Sequence, residues 1–216
     1  MGAGTFIDTR QFGRLAAVSI VALLVAACSG AKEEPKVDKD LAATMDAYRN
    51  RKIHTELTPE ILASIPDDKL EDAVFDYVIA KVGDDSEHEV AIVAKLPIGA
   101  QALYITSLVD GEVRNGGFNQ FYWNPSGRFT DQAAEAFEFF SAHEHAALMR
   151  EANSVRAMEA DKMKKFEERG TTQAFSDSYK ETQLGPLDDK YYELKEDLGK
   201  LRIAKIRSMP EFFSGK

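Results

Sequence analysis

A single cysteine, Cys28, sets the terms on which this 216-residue chain can fold. One thiol closes no intramolecular disulfide and builds no cysteine zinc site, so stability must come from buried apolar surface. Hydrophobic residues make up 44% of the chain, enough for a core. Cys28 also closes an uncharged run: Arg10 and Arg14 precede Leu15–Ala27, L-A-A-V-S-I-V-A-L-L-V-A-A. A helix of that length rises about 20 Å, short of a hydrocarbon core of about 30 Å. A basic start, a short apolar stretch and small residues at its end describe a signal peptide. What remains, roughly 185–190 residues, suits one domain plus a tether.

The final residues of that run, Leu24-Val25-Ala26-Ala27-Cys28, resemble the lipobox of bacterial lipoproteins. The resemblance implies that residues 1–27 are a lipoprotein signal peptide and that Cys28 is the lipidation site. The mature chain is then held to a membrane by acyl groups, each buried methylene contributing about 0.8 kcal/mol. Ser29 follows, not aspartate. By the same resemblance the protein belongs to the cell envelope, facing the periplasm, at the outer membrane rather than the inner. Residues 28–45 read as the lipidated cysteine and a flexible tether, because Ser29–Asp40, S-G-A-K-E-E-P-K-V-D-K-D, is too polar to bury.

Removing residues 1–27 leaves 25 basic and 35 acidic residues, a net charge of -10. Direct DNA or RNA binding calls for the opposite sign, so it is not expected. The acidity is concentrated: His54–Lys95 holds eleven acids and three lysines, a net -8. Such a block is either a pair of solvated helix faces or a recognition surface, with Asp67, Asp68, Glu71 and Asp72 as its candidates.

The remainder reads as helix. Thr58-Pro59-Glu60 combines a hydroxyl cap, a first-turn proline and an acid, and Pro66 ends that short element. Leu70, Ala73, Val74, Tyr77 and Val78 recur at helical spacing up to Gly83. Ser86 and Glu89 form a capping-box pattern ahead of Val90–Leu96. Ala100–Arg114 continues as helix, and Asn115-Gly116-Gly117 reads as its left-handed stop. Thr130 or Asp131 opens a helix to Phe140, and another runs from His143 towards Met163 with a break near Asn153. Gly170–Gly185 reads mostly as loop, and Leu187–Met209 as one long terminal helix closed by Pro210. The expected architecture is a single, compact, all-α domain over residues 57–213.

The stretch from Leu96 to Gly127 contains G-E-V-R-N-G-G-F-N-Q-F-Y-W-N, and the C-terminal part contains L-D-D-K-Y-Y-E-L (Leu187–Leu194) and P-E-F-F (Pro210–Phe213). These segments resemble the DNA-mimic protein family, from about Leu57 to Phe213 and most densely between Leu96 and Ala142. The resemblance implies an all-helical fold and recognition through acidic surface. DNA presents one charge per about 1.7 Å of axis, so mimicry needs a dense carboxylate row, and here many acids have a lysine or arginine nearby in sequence.

No catalytic constellation is present. Glu112, Asn115, Gly116, Gly117, Phe118, Gln120 and Asn124 form the candidate binding set. They make either a structural corner, in which amides satisfy a helix break above aromatic packing, or a small polar cleft. His143 and His145, two apart on a helix, diverge and do not share a metal easily; His54 and His88 are isolated. Ser126 lacks a nucleophile elbow, and Glu135 and Glu138 suit a solvated helix face. No cofactor and no metal is expected. The sequence thus points to a non-enzymatic, membrane-anchored module that binds an envelope protein through an acidic helical surface. A receptor or enzyme using the Glu112–Asn124 cleft, and an envelope inhibitor or immunity protein, are the alternatives.

Overall fold

The computed structural model describes residues 39–215. The expected signal peptide, Cys28 and the first part of the tether lie outside the described residues. Within them are eleven α-helices, two 3-10 turns and no strand, so the fold is all-α. The helices are α1 (Lys39–Arg49), α2 (Pro59–Ser64), α3 (Asp67–Val82), α4 (Glu89–Val93), α5 (Ile98–Trp123), α6 (Thr130–Phe139), α7 (His143–Met158), α8 (Ala160–Glu167), α9 (Thr172–Glu181), α10 (Gly185–Glu193) and α11 (Leu198–Ser208). The 3-10 turns are Pro125–Phe129 and Pro210–Phe212. No helix among the described residues is long and apolar enough to cross a membrane.

The core is organised around α5. Its first half, I-G-A-Q-A-L-Y-I-T-S-L-V-D, is apolar nearly all round, and a helix of that kind belongs at the centre. Ala100, Leu103, Tyr104, Ile105 and Val109 are buried there, with α3, α6 and α10 packed about them. Phe121, Phe129, Phe137 and Phe140 fill the space between α5, α6 and the first 3-10 turn. Each such ring contributes about 1.5–3 kcal/mol by leaving water. The far end of the chain closes the core: the fully buried Phe213 ring lies against Gly99, where an added Cβ would come within 2.8 Å of three ring carbons. Only glycine tolerates that approach.

Several starts and stops follow local chemistry. The Thr58 hydroxyl accepts the Ile61 amide at 3.2 Å, and Pro59 sits in the first turn of α2. The helix over Leu70–Val78 ends at Gly83, whose φ is +57°. Others do not. Helix α1 begins at Lys39, inside the segment 28–45 expected as tether, and its junction is fixed by Arg51, whose guanidinium stacks 3.7 Å from the Tyr48 ring and binds Asp76. The Ser86–Glu89 capping box does not form. Glu89 instead turns inward, accepting the Tyr104 hydroxyl at 2.5 Å and Arg128 at 3.0 Å, while Asp85 accepts the His88 amide.

Two larger expectations are corrected. Gly170–Gly185, read as loop, contains α9, capped by the Thr171 hydroxyl on the Ala174 amide at 3.1 Å. Tertiary contact favours helix there: Phe175 lies 5.2 Å from Trp123, and Ser178 accepts the Asn119 amide at 2.8 Å. The single terminal helix is in fact two, α10 and α11, because Glu196 leaves the helical path. Its carboxylate accepts the amides of Glu144 (2.9 Å) and His145 (3.1 Å) at the start of α7, and Glu144 in return accepts the Lys195 amide at 3.1 Å. Asp197 then caps α11 through the Lys200 amide.

Candidate functional site

The motif that singles out this chain folds as a broken helix. Gly116 is extended (φ -163°, ψ 29°) and Gly117 takes φ +74°, yet α5 resumes at once and runs on to Trp123. Asn115-Gly116-Gly117 is therefore a kink, not a stop. Gly117 must be glycine twice over: its φ is left-handed, and a Cβ would meet the Asp188 carboxylate at 2.3 Å. A break leaves amides and carbonyls without helical partners, and these must be answered from elsewhere. Asp188 Oδ1 accepts the Phe118 amide at 2.7 Å, capping the second half of α5 from α10. The Tyr192 hydroxyl donates to the Arg114 carbonyl at 2.8 Å, and the Tyr179 hydroxyl donates to the Gly116 carbonyl. Two segments far apart in sequence, Glu112–Asn124 and Leu187–Leu194, are thus complementary halves of one junction.

Glu112 stands at the centre of the inner side. It is buried, and its carboxylate accepts Gln120 Nε2 at 2.7 Å, Asn124 Nδ2 at 2.8 Å and Ser126 Oγ at 3.0 Å. Asn119, also buried, donates to Ser178. The structure therefore brings Glu112, Gln120 and Asn124 together around the break, with Gly116, Gly117 and Phe118 forming the break itself. Asn115 is exposed on the outer side. This is the structural-corner arrangement: the amides are committed to Glu112 and Ser178. Sequence reasoning did not find Ser126, Asp188, Tyr179 and Tyr192, the partners that complete it. The D-D-K-Y-Y signal was visible, but not what it touches.

Local electrostatics follow from this crowding. Burial pushes the Asp188 carboxyl up, the Phe118 amide opposes, and neighbouring Asp189 pushes the same way as burial. The Tyr179 hydroxyl is pushed up to about 12 by burial and by the charges of Asp188 and Glu112. A phenol held neutral remains a donor to the Gly116 carbonyl throughout the physiological range.

The acidic block looks different once folded. Asp67 is bound by Arg207 at 2.6 Å, Glu71 by Arg202 at 3.1 Å, Asp76 by Arg51 and Glu89 by Arg128, so four arginines from outside the block reduce its net -8 to -4. The pairs differ in depth: Asp76 and Glu89 lie deeper than Arg51 and Arg128, whereas Asp67 and Glu71 stand outside Arg207 and Arg202. The Asp67 side chain is 66% exposed against 32% for Arg207, and Glu71 30% against 7% for Arg202. Asp68 and Asp72 are exposed, so the first two turns of α3 present carboxylates outward. Burial pushes the Glu71 and Asp72 carboxyls up, with Arg202 opposing at Glu71 and Asp76 adding to the rise at Asp72.

The remaining candidates resolve into structural roles. His145 is buried, stacked 5.3 Å from Phe137, with Nδ1 2.8 Å from Glu196; it is a core residue, not a surface one. His143 meets Glu138 at 2.6 Å, and Arg150 gathers both Glu135 and Glu138. Ser126 is held between Glu112 and the Phe121 carbonyl. Among the described residues, no group of three or more His, Cys, Asp or Glu side chains is placed to hold a metal ion.

A family model described as DMP19-like protein matches residues 94–208. That span includes both halves of the junction and stops short of Pro210–Phe213. No curated protein and no solved structure matches the chain.

Proposed function

We propose a function from the premise that the chain belongs to the DMP19-like protein family, a DNA-mimic family. In this reading it is a lipid-anchored binding protein of the bacterial cell envelope, without catalysis of its own. Acyl groups on Cys28 hold it to a membrane, the outer one by the residue that follows, and its domain faces the periplasm. It meets another envelope protein through the outward carboxylates of α3.

One observation carries the reading: at the start of α3, Asp67 and Glu71 stand further out than the arginines they pair with, beside the exposed Asp68 and Asp72. Asp67, Asp68 and Asp72 stand on a rigid helix, so a basic partner gains charge attraction without the domain having to order loops. The field is weaker than the sequence block suggests, which suits recognition of one basic patch better than imitation of a duplex. The rival cleft reading is weakened because Gln120 and Asn124 each turn an amide N–H to the buried Glu112, which fixes both side chains in the corner.

Crosslinked capture from intact cells, with the lipid anchor present, tests the proposal. The expected result is a specific envelope protein whose recovery falls as salt rises and falls again in the Asp67→Asn, Asp68→Asn, Asp72→Asn variant. Recovery indifferent to both changes would overturn it. So would native peptides spanning Ala26–Gly30 without modification.

A further inference from the structure

One end of the domain exposes apolar side chains that the binding reading does not use. Ile98 is 52% exposed, and Met209 and Phe212 are also exposed. They surround the buried Phe213 ring. Ile98 adjoins Gly99, against which that ring lies. Phe212 and Phe213 approach Phe139 with ring centroids 6.1 and 5.9 Å away. Met209 immediately precedes the 3-10 turn and accepts the Phe212 amide through its carbonyl.

Cations fringe this patch. The Lys205 ammonium lies 5.3 Å from the Phe139 ring centroid, Lys95 is exposed ahead of Pro97, and Arg207 ends α11. The facing acids are Glu211, on the 3-10 turn itself, and Asp67, which Arg207 engages. Aliphatic, methionine and phenylalanine side chains fringed by lysines are the composition of a surface that lies in a lipid interface.

The path of the chain points to the same end. Helix α2 packs against both α11 and the Pro210–Phe212 turn. Arg51, just past α1, is held to Asp76, and Arg207 near the end of α11 donates to the Leu62 and Ile65 carbonyls at the end of α2. The first helix past α1 therefore lies beside the exposed apolar end. Ten residues lie between Cys28 and Lys39, and the eleven steps from one to the other span at most about 40 Å at full extension. A domain tied that closely by its N-terminus meets the bilayer repeatedly at high effective concentration.

We infer that Ile98, Met209 and Phe212 rest in the headgroup region of the membrane to which the chain is anchored, so the occupant of this patch is a lipid leaflet. The inference rests on lipidation at Cys28, and it gives the anchored domain a fixed orientation.

The test uses the mature, lipidated protein in vesicles of phosphatidylcholine and phosphatidylglycerol. Acylation consumes the Cys28 thiol, so a cysteine introduced elsewhere is the one labelling site. An environment-sensitive fluorophore is placed at Met209→Cys and, separately, at Met158→Cys, a position 78% exposed at the opposite end of α7 from His143. The expected result is a blue shift and several-fold stronger quenching by nitroxide-bearing lipid at position 209 than at 158. Vesicle association with equal, water-like emission at both positions overturns the inference and leaves the anchor standing. Stronger quenching at 158 overturns it too. Protein that fails to associate with vesicles removes the anchor reading and this inference with it.

Discussion

Asp188 Oδ1 accepts the Phe118 amide at 2.7 Å across 70 residues of sequence, directly over the glycine whose positive φ breaks α5. The cap and the break depend on one another. Gly117→Ala forces a side chain into both a left-handed backbone and the Asp188 carboxylate, and a cost of about 2–4 kcal/mol is expected. Asp188→Ala removes the cap at about 1–2 kcal/mol. The double variant lifts the clash but keeps the backbone strain, so its destabilisation should fall short of the sum of the two single ones. Urea unfolding of the four proteins closes the cycle, and strict additivity would show that the two residues act independently.

Charge at the same position gives a pH signature. Burial raises the Asp188 carboxyl in the folded state. A group of this kind contributes stability that is fully present below the unfolded pKa and is lost as pH rises through the folded one. Asp188→Asn keeps an oxygen acceptor for the Phe118 amide and removes that loss. Its stability relative to the parent protein should therefore improve as pH increases from the ordinary carboxylate range towards neutrality, read from urea midpoints across that window. A difference constant with pH would contradict the argument.

Glu112 is the acceptor for Gln120, Asn124 and Ser126, and its removal takes that partner from both amides and leaves Ser126 only the Phe121 carbonyl. Glu112→Ala is expected to cost about 2–5 kcal/mol and to loosen the second half of α5. Trp123, the one tryptophan of the chain, reports on this directly through its near-ultraviolet circular dichroism. Glu112→Gln, which retains one acceptor oxygen, should lose less. If Glu112→Ala left both stability and the tryptophan signal unchanged, the corner would not be structural.

Glu196 behaves oppositely to Asp188. Burial works against its charge, but the amides of Glu144 and His145 together with the His145 imidazole hold its carboxyl below the ordinary range. Its stabilisation is present above the unfolded glutamate pKa and is lost as pH falls through the lower, folded value. Glu196→Gln should consequently narrow the gap to the parent protein under acid conditions and widen it near neutrality. Hydrogen exchange should show the first turn of α7 opening more readily in this variant.

Local sequence signals were sufficient wherever the determinant was local. Thr58-Pro59, the spacing of Leu70 to Val78, and the glycine pair at 116–117 each marked a real boundary or break, because cap, periodicity and positive φ are properties of a few adjacent residues. The misreadings share one cause. Helix α9 looked like loop because Thr and Ser have modest helix propensity and favour caps and turns, and its order comes from Asn119 and Trp123 on another helix. Leu194–Asp197 looked helical because Leu, Lys and Glu favour helix, and it breaks because Glu196 is more valuable as a cap for α7. The acidic block reads as net -8 in sequence because Arg202 and Arg207 reach α3 from more than 130 residues away. Within the site, the participants on α5 were legible and those on α9 and α10 were not.

The Gly116–Gly117 junction has a consequence for the order in which the molecule is made. Its loose amide and carbonyls find partners only on α9 and α10, and Gly99 finds its covering ring only at Phe213. A nascent chain released up to the end of α5 thus holds an unfinished central element and has no reason to lock. Closure of this centre therefore depends on the C-terminal residues, and a chain cut before α9 should be unable to complete it.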